Sequence, residues 1–95
     1  MTSSTDLVVT WQARQDIEDI YRYTLEQWGE VQAEIYDEML HRAFLLLRDF
    51  PEMGLALSPD GDVREHYLRH HTIVYRYDGA TVTIVVIVSP RRMRR

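Results

Sequence analysis

The apolar positions follow two periods, one giving way to the other past the middle of the chain. After a short β-rich opening, LVVTW, the residues Ala13, Ile17, Ile20, Tyr21, Thr24 and Trp28 recur every three or four positions, the spacing of one helical face. Thr10 suits the N-cap. Asp16, Glu18 and Asp19 in the early turns favour the positive end of the helix dipole, and Gly29 suits a left-handed termination, so a helix is predicted over about 11–28. The pattern resumes with Tyr36, Met39, Leu40, Ala43, Leu46, Leu47 and Phe50 until Pro51 stops it, predicting a second helix over about 31–49. A connection of only about two or three residues folds the two back as an antiparallel hairpin, whose apolar faces need a third element to cover them.

That element is a sheet. The segment PEMGLALSPDGD, 51–62, reads as a loop, after which VREHYL, HTIVYRY and TVTIVVIV have the alternation and composition of strands, the last two joined at Asp78-Gly79. Ile73, Tyr75 and Tyr77 share one face of their strand, and Val74 and Arg76 the other. In the last strand Val82, Ile84, Val86 and Val88 oppose Val85 and Ile87, so both faces are apolar and the strand belongs inside the sheet, with LVVTW beside it. The expectation is an α+β fold in the order β-α-α-β-β-β, a helical hairpin on a small, mostly antiparallel sheet. It forms a single domain over 1–95: hairpin about 11–49, loop 51–62, meander about 63–88 and an arginine-rich tail over 89–95.

Charge changes the picture more than size does. All 11 basic residues are arginine. Residues 1–60 carry four of them against twelve acids, a net −8, whereas residues 61–95 carry seven against three acids, a net +4. A split of this kind speaks to partners of complementary charge rather than to fold. The net charge of −4 argues against generic or sequence-specific nucleic-acid binding. Cysteine is absent, which excludes disulfides and thiol chemistry. No apolar run approaches the roughly 20 residues of a membrane span, and the start MTSSTDLVV is unlike a signal peptide, so a cytoplasmic protein is expected.

Candidate chemistry is sparse. His66, His70 and His71 fall close together, but alternation sends His70 and His71 to opposite faces and no acidic metal signature accompanies them, so no metal and no cofactor are expected. Asp16, Glu18, Asp19, Asp37 and Glu38 read as solvated helix surface, and Tyr21, Trp28 and Tyr36 as core aromatics, with Trp11 harder to place. The arginines at 64, 69, 76, 91, 92, 94 and 95 are the informative set: planar, permanently charged donors on strands and tail that suit acidic groups of a partner.

The order of residues resembles the ParE branch of the ParE/RelE toxin family of type II toxin–antitoxin modules. The likeness rests on Trp28-Gly29, Ala33 and Tyr36 in the hairpin, on the exit Phe50-Pro51 to Gly54, and on Arg64 followed by His71, Tyr75 and Arg76. It implies a compact toxin acting on DNA gyrase by protein contacts, neutralised by a ParD-like antitoxin in a hetero-oligomer, with no catalytic residues. The RelE branch implies the rival reading, a ribosome-dependent mRNA endoribonuclease. Where the family often ends its last strand in His this chain has Val88-Ser89-Pro90, which speaks against acid–base cleavage and is also compatible with an inactivated toxin kept as a binding partner. The residues expected to bind the partner are Arg64, Arg69, Tyr75, Arg76, Arg91 and Arg92.

Overall fold

The computed structural model describes residues 5–89, which form β1 (Asp6–Val9), α1 (Trp11–Trp28), α2 (Glu30–Asp49), β2 (Leu55–Ala56), β3 (Val63–Leu68), β4 (His71–Tyr77) and β5 (Thr81–Val88). The strands make one sheet in the order β1-β5-β4-β3-β2, antiparallel except where β1 runs parallel to β5. Two helices on a mixed five-stranded sheet give the expected α+β class. β2 is an addition: the stretch read as loop from its Pro, Gly and Asp content holds two residues that pair with β3.

The helix ends follow their caps. The Thr10 side chain accepts from Ala13 N at 3.0 Å, and the N–H of Gly29 donates to the Leu25 carbonyl at 3.0 Å. Gly29, at φ 95°, is the whole connection between the helices, and its own carbonyl accepts from Ala33 N. A residue with a Cβ would be strained at that φ.

The sheet's inner face meets α1 through Ala13 and Ile20, and α2 through Leu40, Ala43, Phe44 and Leu47, over Ile73, Tyr75, Val82, Ile84 and Ile87. Strict alternation along β5 does not hold. Tyr75 registers with Ile84 but Val74 with Val86, so Val85 is an extra residue, a β-bulge. Val82 and Ile84 point inward before it and Ile87 after it, while Val86 and Val88 share the outer face with Val74 and Thr72.

The bulge lies just past Val9, where β1 stops pairing, and α1 takes over the free backbone of β5. Thr10 N donates to Ile84 O at 3.1 Å, the Thr10 hydroxyl donates to Val85 O at 2.7 Å, and Ile87 N donates to Asp16 Oδ2 at 2.9 Å. Asp16 is only 1% exposed, which corrects its reading as a surface acid. Helical spacing cannot separate it from Asp19, three residues on, because both lie near the same face.

Among the described residues no helix is long and apolar enough to cross a membrane. Asp16→Ala, which leaves the buried Ile87 N–H without its carboxylate, lowers stability by about 2–3 kcal/mol. Asp19→Ala, which removes an exposed pair with Arg22, changes it by about 0.5 kcal/mol or less, and urea unfolding of the two variants measures the contrast.

Candidate partner-binding groove

Of the expected site residues among those described, Arg64 and Tyr75 meet on one loop, while Arg69 and Arg76 stand apart from them. Tyr75 lies in the core at 0% exposure, its hydroxyl donating to Pro51 O at 2.7 Å and accepting from Gly54 N at 3.0 Å. Burial pushes its phenol above the ordinary value, so the proton that makes the first bond stays in place. Arg64 faces the same loop: its Nε donates to Gly61 O at 3.0 Å, and its Nη1 to Glu52 O at 3.1 Å and Gly54 O at 2.8 Å. A Cβ on Gly54 would overlap the Tyr75 hydroxyl and stand 2.8 Å from Glu65 O. The exit from Phe50 to Gly54, Arg64 and Tyr75 are therefore one structural unit. Tyr75 has no surface to offer a partner, a correction to the expectation; strand alternation showed its face but not that the loop would close over its tip.

Arg76 stands on the outer face, mostly exposed, with Nη2 on Asp62 Oδ2 at 2.8 Å. Arg69 sits in the tight turn between β3 and β4 at φ 53°, the one positive φ outside glycine among the described residues. A left-handed conformation costs such a residue on the order of 1 kcal/mol, strain that turns up at functional positions. Arg91 and Arg92 lie outside the described residues.

Arg69 does have a site around it. A groove of about 660 Å³ runs between the tip of the helical hairpin and the β3–β4 turn. Its apolar wall is Tyr23, Trp28, Ile35, Tyr36 and Met39 from the helices, and its polar lining is Arg69, His70 and His71 on the turn, Asp19 and Gln32 on the helices, and Ser89 at the end of β5. Trp28 is 69% exposed and Tyr23 and Ile35 are also open to solvent, so Trp28 is not the core residue its spacing suggested. Tyr21 is only partly buried, its hydroxyl donating to Glu34. Trp28 falls at the last turn of α1, where the helix has run past the sheet that would cover it. Trp11, in the first turn of α1, is also open to solvent, at 72%.

Tyr36 joins wall to rim. Its hydroxyl lies 2.7 Å from His71 Nδ1 and 3.1 Å from the Leu68 carbonyl, and burial raises its phenol above the usual range, which keeps the proton available to them. The α2 wall is thus tied to the turn that carries Arg69. What the groove can do is bind: it offers a large aromatic and aliphatic surface beside permanent positive charge, and its volume is that of a ligand or side-chain pocket. Among the described residues no three His, Cys, Asp or Glu side chains are grouped to hold a metal ion.

The chain is a two-layer α+β domain with an open apolar groove beside a charged turn. Its fold is shared with a chain of the chromosomal ParDE TA system from P. aeruginosa, at TM-score 0.78 and 19% identity over 93% of this chain and 98% of the other. A mutant of YafQ from E. coli has the fold more distantly, at TM-score 0.59 and 10% identity over 96% and 99% of the two chains. Residues 7–95 match the family described as ParE toxin of type II toxin-antitoxin system, parDE. Toxin ParE1 of Caulobacter vibrioides is 31% identical over 80 residues, 80% of this chain and 79% of that one. The chain therefore belongs to the ParE toxin family of type II toxin–antitoxin systems.

His66 gives the fold a pH dependence. Partial burial opposite Ile73 in β3 lowers its pKa below the ordinary 6.5, so the unfolded chain takes up its proton first as pH falls. Its contribution to stability is complete above pH 6.5 and is lost as pH falls from there through the lowered folded value. Thermal melts from neutral to mildly acidic pH show this as a falling Tm, and His66→Gln flattens that part of the profile.

Proposed function

We propose that this chain is a binding-type toxin that inhibits DNA gyrase by protein contacts and is silenced by a ParD-like antitoxin, whose acidic, apolar segment fills the groove. The observation that carries the reading is the meeting of an exposed aromatic wall at Tyr23 and Trp28 with the positive rim at Arg69. Such a surface complements an amphipathic segment bearing carboxylates, with a few aromatic and arginine anchors supplying most of the affinity. Ser89, at the end of the described residues, lines the groove, which supports giving the following Arg91 and Arg92 a part in the same contact. Gyrase and antitoxin would be met in the bacterial cytoplasm.

A non-enzymatic role agrees with the disposition of the polar groups. The Tyr75 hydroxyl is used twice inside the protein, Arg64 beside it is spent on backbone carbonyls of the same loop, and Arg76 is paired with Asp62, so the polar atoms of all three are taken up by the protein itself. General acid–base chemistry needs groups within reach of one substrate bond.

Purified gyrase loses supercoiling activity when the chain is added and regains it with the antitoxin encoded alongside. Trp28→Ala and Arg69→Glu each weaken antitoxin binding by roughly 30-fold, about 2 kcal/mol, the size of an interface anchor. Both positions are exposed, so Tm stays within a few degrees. Unaffected gyrase together with cleaved ribosome-bound mRNA reverses the assignment.

A further inference from the structure

At the sheet edge far from β1, the loop after α2 and the strand β2 expose Phe50, Met53, Leu55 and Leu57, with Phe50 at 60% and Leu55 at 61%. These side chains do not hang from a slack segment. Tyr75 holds Pro51 O and Gly54 N, Arg64 holds Glu52 O, Gly54 O and Gly61 O, and Gly54 fits only because it lacks a Cβ. The backbone entropy of this loop is already lost in folding, so docking on it requires little further ordering. A rigid loop that keeps several large apolar side chains in water has the character of an interaction surface.

Its chemistry differs from that of the groove. Leu57 N donates to Val63 O at 2.7 Å and Leu55 registers with Glu65, so the backbone groups of both turn toward β3. Alternation then turns the N–H and C=O of Ala56 outward, along the open edge. The flanking charges are acidic: Glu52 in the loop, Glu65 opposite Leu55, and Asp60 beyond. The nearby cations are engaged, Arg64 with carbonyls and Arg48 with Asp49. A second copy docking edge to edge would bring its own Glu52 and Glu65 against these, which like-charge repulsion disfavours. The groove, rimmed by Arg69, suits the opposite kind of partner.

The geometry points to β2 as an acceptor edge for an extended polypeptide segment with alternating apolar side chains and flanking Arg or Lys, added to the sheet as a further strand. Main-chain bonds to Ala56 would set its register, Leu55 and Leu57 would receive its apolar side chains, and Glu52 and Glu65 its cations. Because the surface is separate from the groove, a partner held there leaves Trp28 and Arg69 free.

The probes are two fluorescein-labelled peptides, Arg-Val-Thr-Val-Thr-Val-Arg and the same sequence with Glu at both ends, titrated into the full chain by anisotropy. The arginine peptide binds at least about tenfold more tightly than the glutamate peptide, and the margin shrinks as salt rises. Ala56→Pro, a substitution tolerated on an edge whose N–H faces solvent, weakens the arginine peptide about tenfold. The double variant Glu52→Arg, Glu65→Arg inverts the preference, which keeps the test intact if the proline variant is unfolded. Trp28→Ala leaves this binding unchanged. The proposal is overturned by binding of neither peptide, by equal binding of both, by a folded Ala56→Pro chain that binds as before, or by a preference that survives charge reversal. Self-association abolished by Ala56→Pro also overturns it, since the edge would then belong to a second copy.

Discussion

Everything about the placement of α1 follows from the bulge in β5. An extra residue at Val85 turns backbone groups away from regular pairing at the point where β1 has ended, and a buried backbone group without a partner costs about 1–3 kcal/mol. Thr10 and Asp16 satisfy these groups, one as the cap of α1 and the other a turn and a half into it. The helix is therefore joined to the sheet by directional bonds at its start. The same bulge turns Ile87 inward in place of Val86 and Val88, the residues that simple alternation would have put there.

An anchor at one end leaves the other end overhanging. The hairpin tip, with Trp28, Gly29 and Val31, reaches beyond the sheet, and the space beneath becomes the groove, closed on its far side by the β3–β4 turn through Tyr36 and His71. At the opposite edge the loop after α2 is held by polar bonds rather than by burial of its side chains, so those side chains remain outside. The groove carries Arg69 on the β3–β4 turn, whereas Glu52 and Glu65 flank the exposed loop. The toxin family accounts for one partner; the second surface widens the account.

Much of the architecture was legible in local signals along the chain. Thr10 and Gly29 fixed the ends of α1 because capping depends on a few adjacent residues, and Pro51 did the same for α2. The interior position of TVTIVVIV followed from its being apolar on both faces. What stayed hidden depends on distant parts of the chain. The bulge is invisible in a run of Val and Ile whose two faces look alike; it is what separated Ile87 from Val86 and put Asp16 inside. Arg64 and Tyr75 belonged to a matching motif and so looked like contacts for a partner, yet what they contact is the loop after Phe50. Trp28 and Ile35 carried the signal of the groove, since both are apolar residues at the hairpin tip, but without the length of the sheet nothing told them apart from core.

The dependence of partner docking on the overhanging hairpin is open to amide hydrogen exchange on the chain alone and bound to its antitoxin. The account predicts added protection within 20–39 and 69–71, the segments that supply the groove's walls, and little change along the outer face of β4. Protection that falls on the outer sheet face while the hairpin tip exchanges as in the free chain would contradict it.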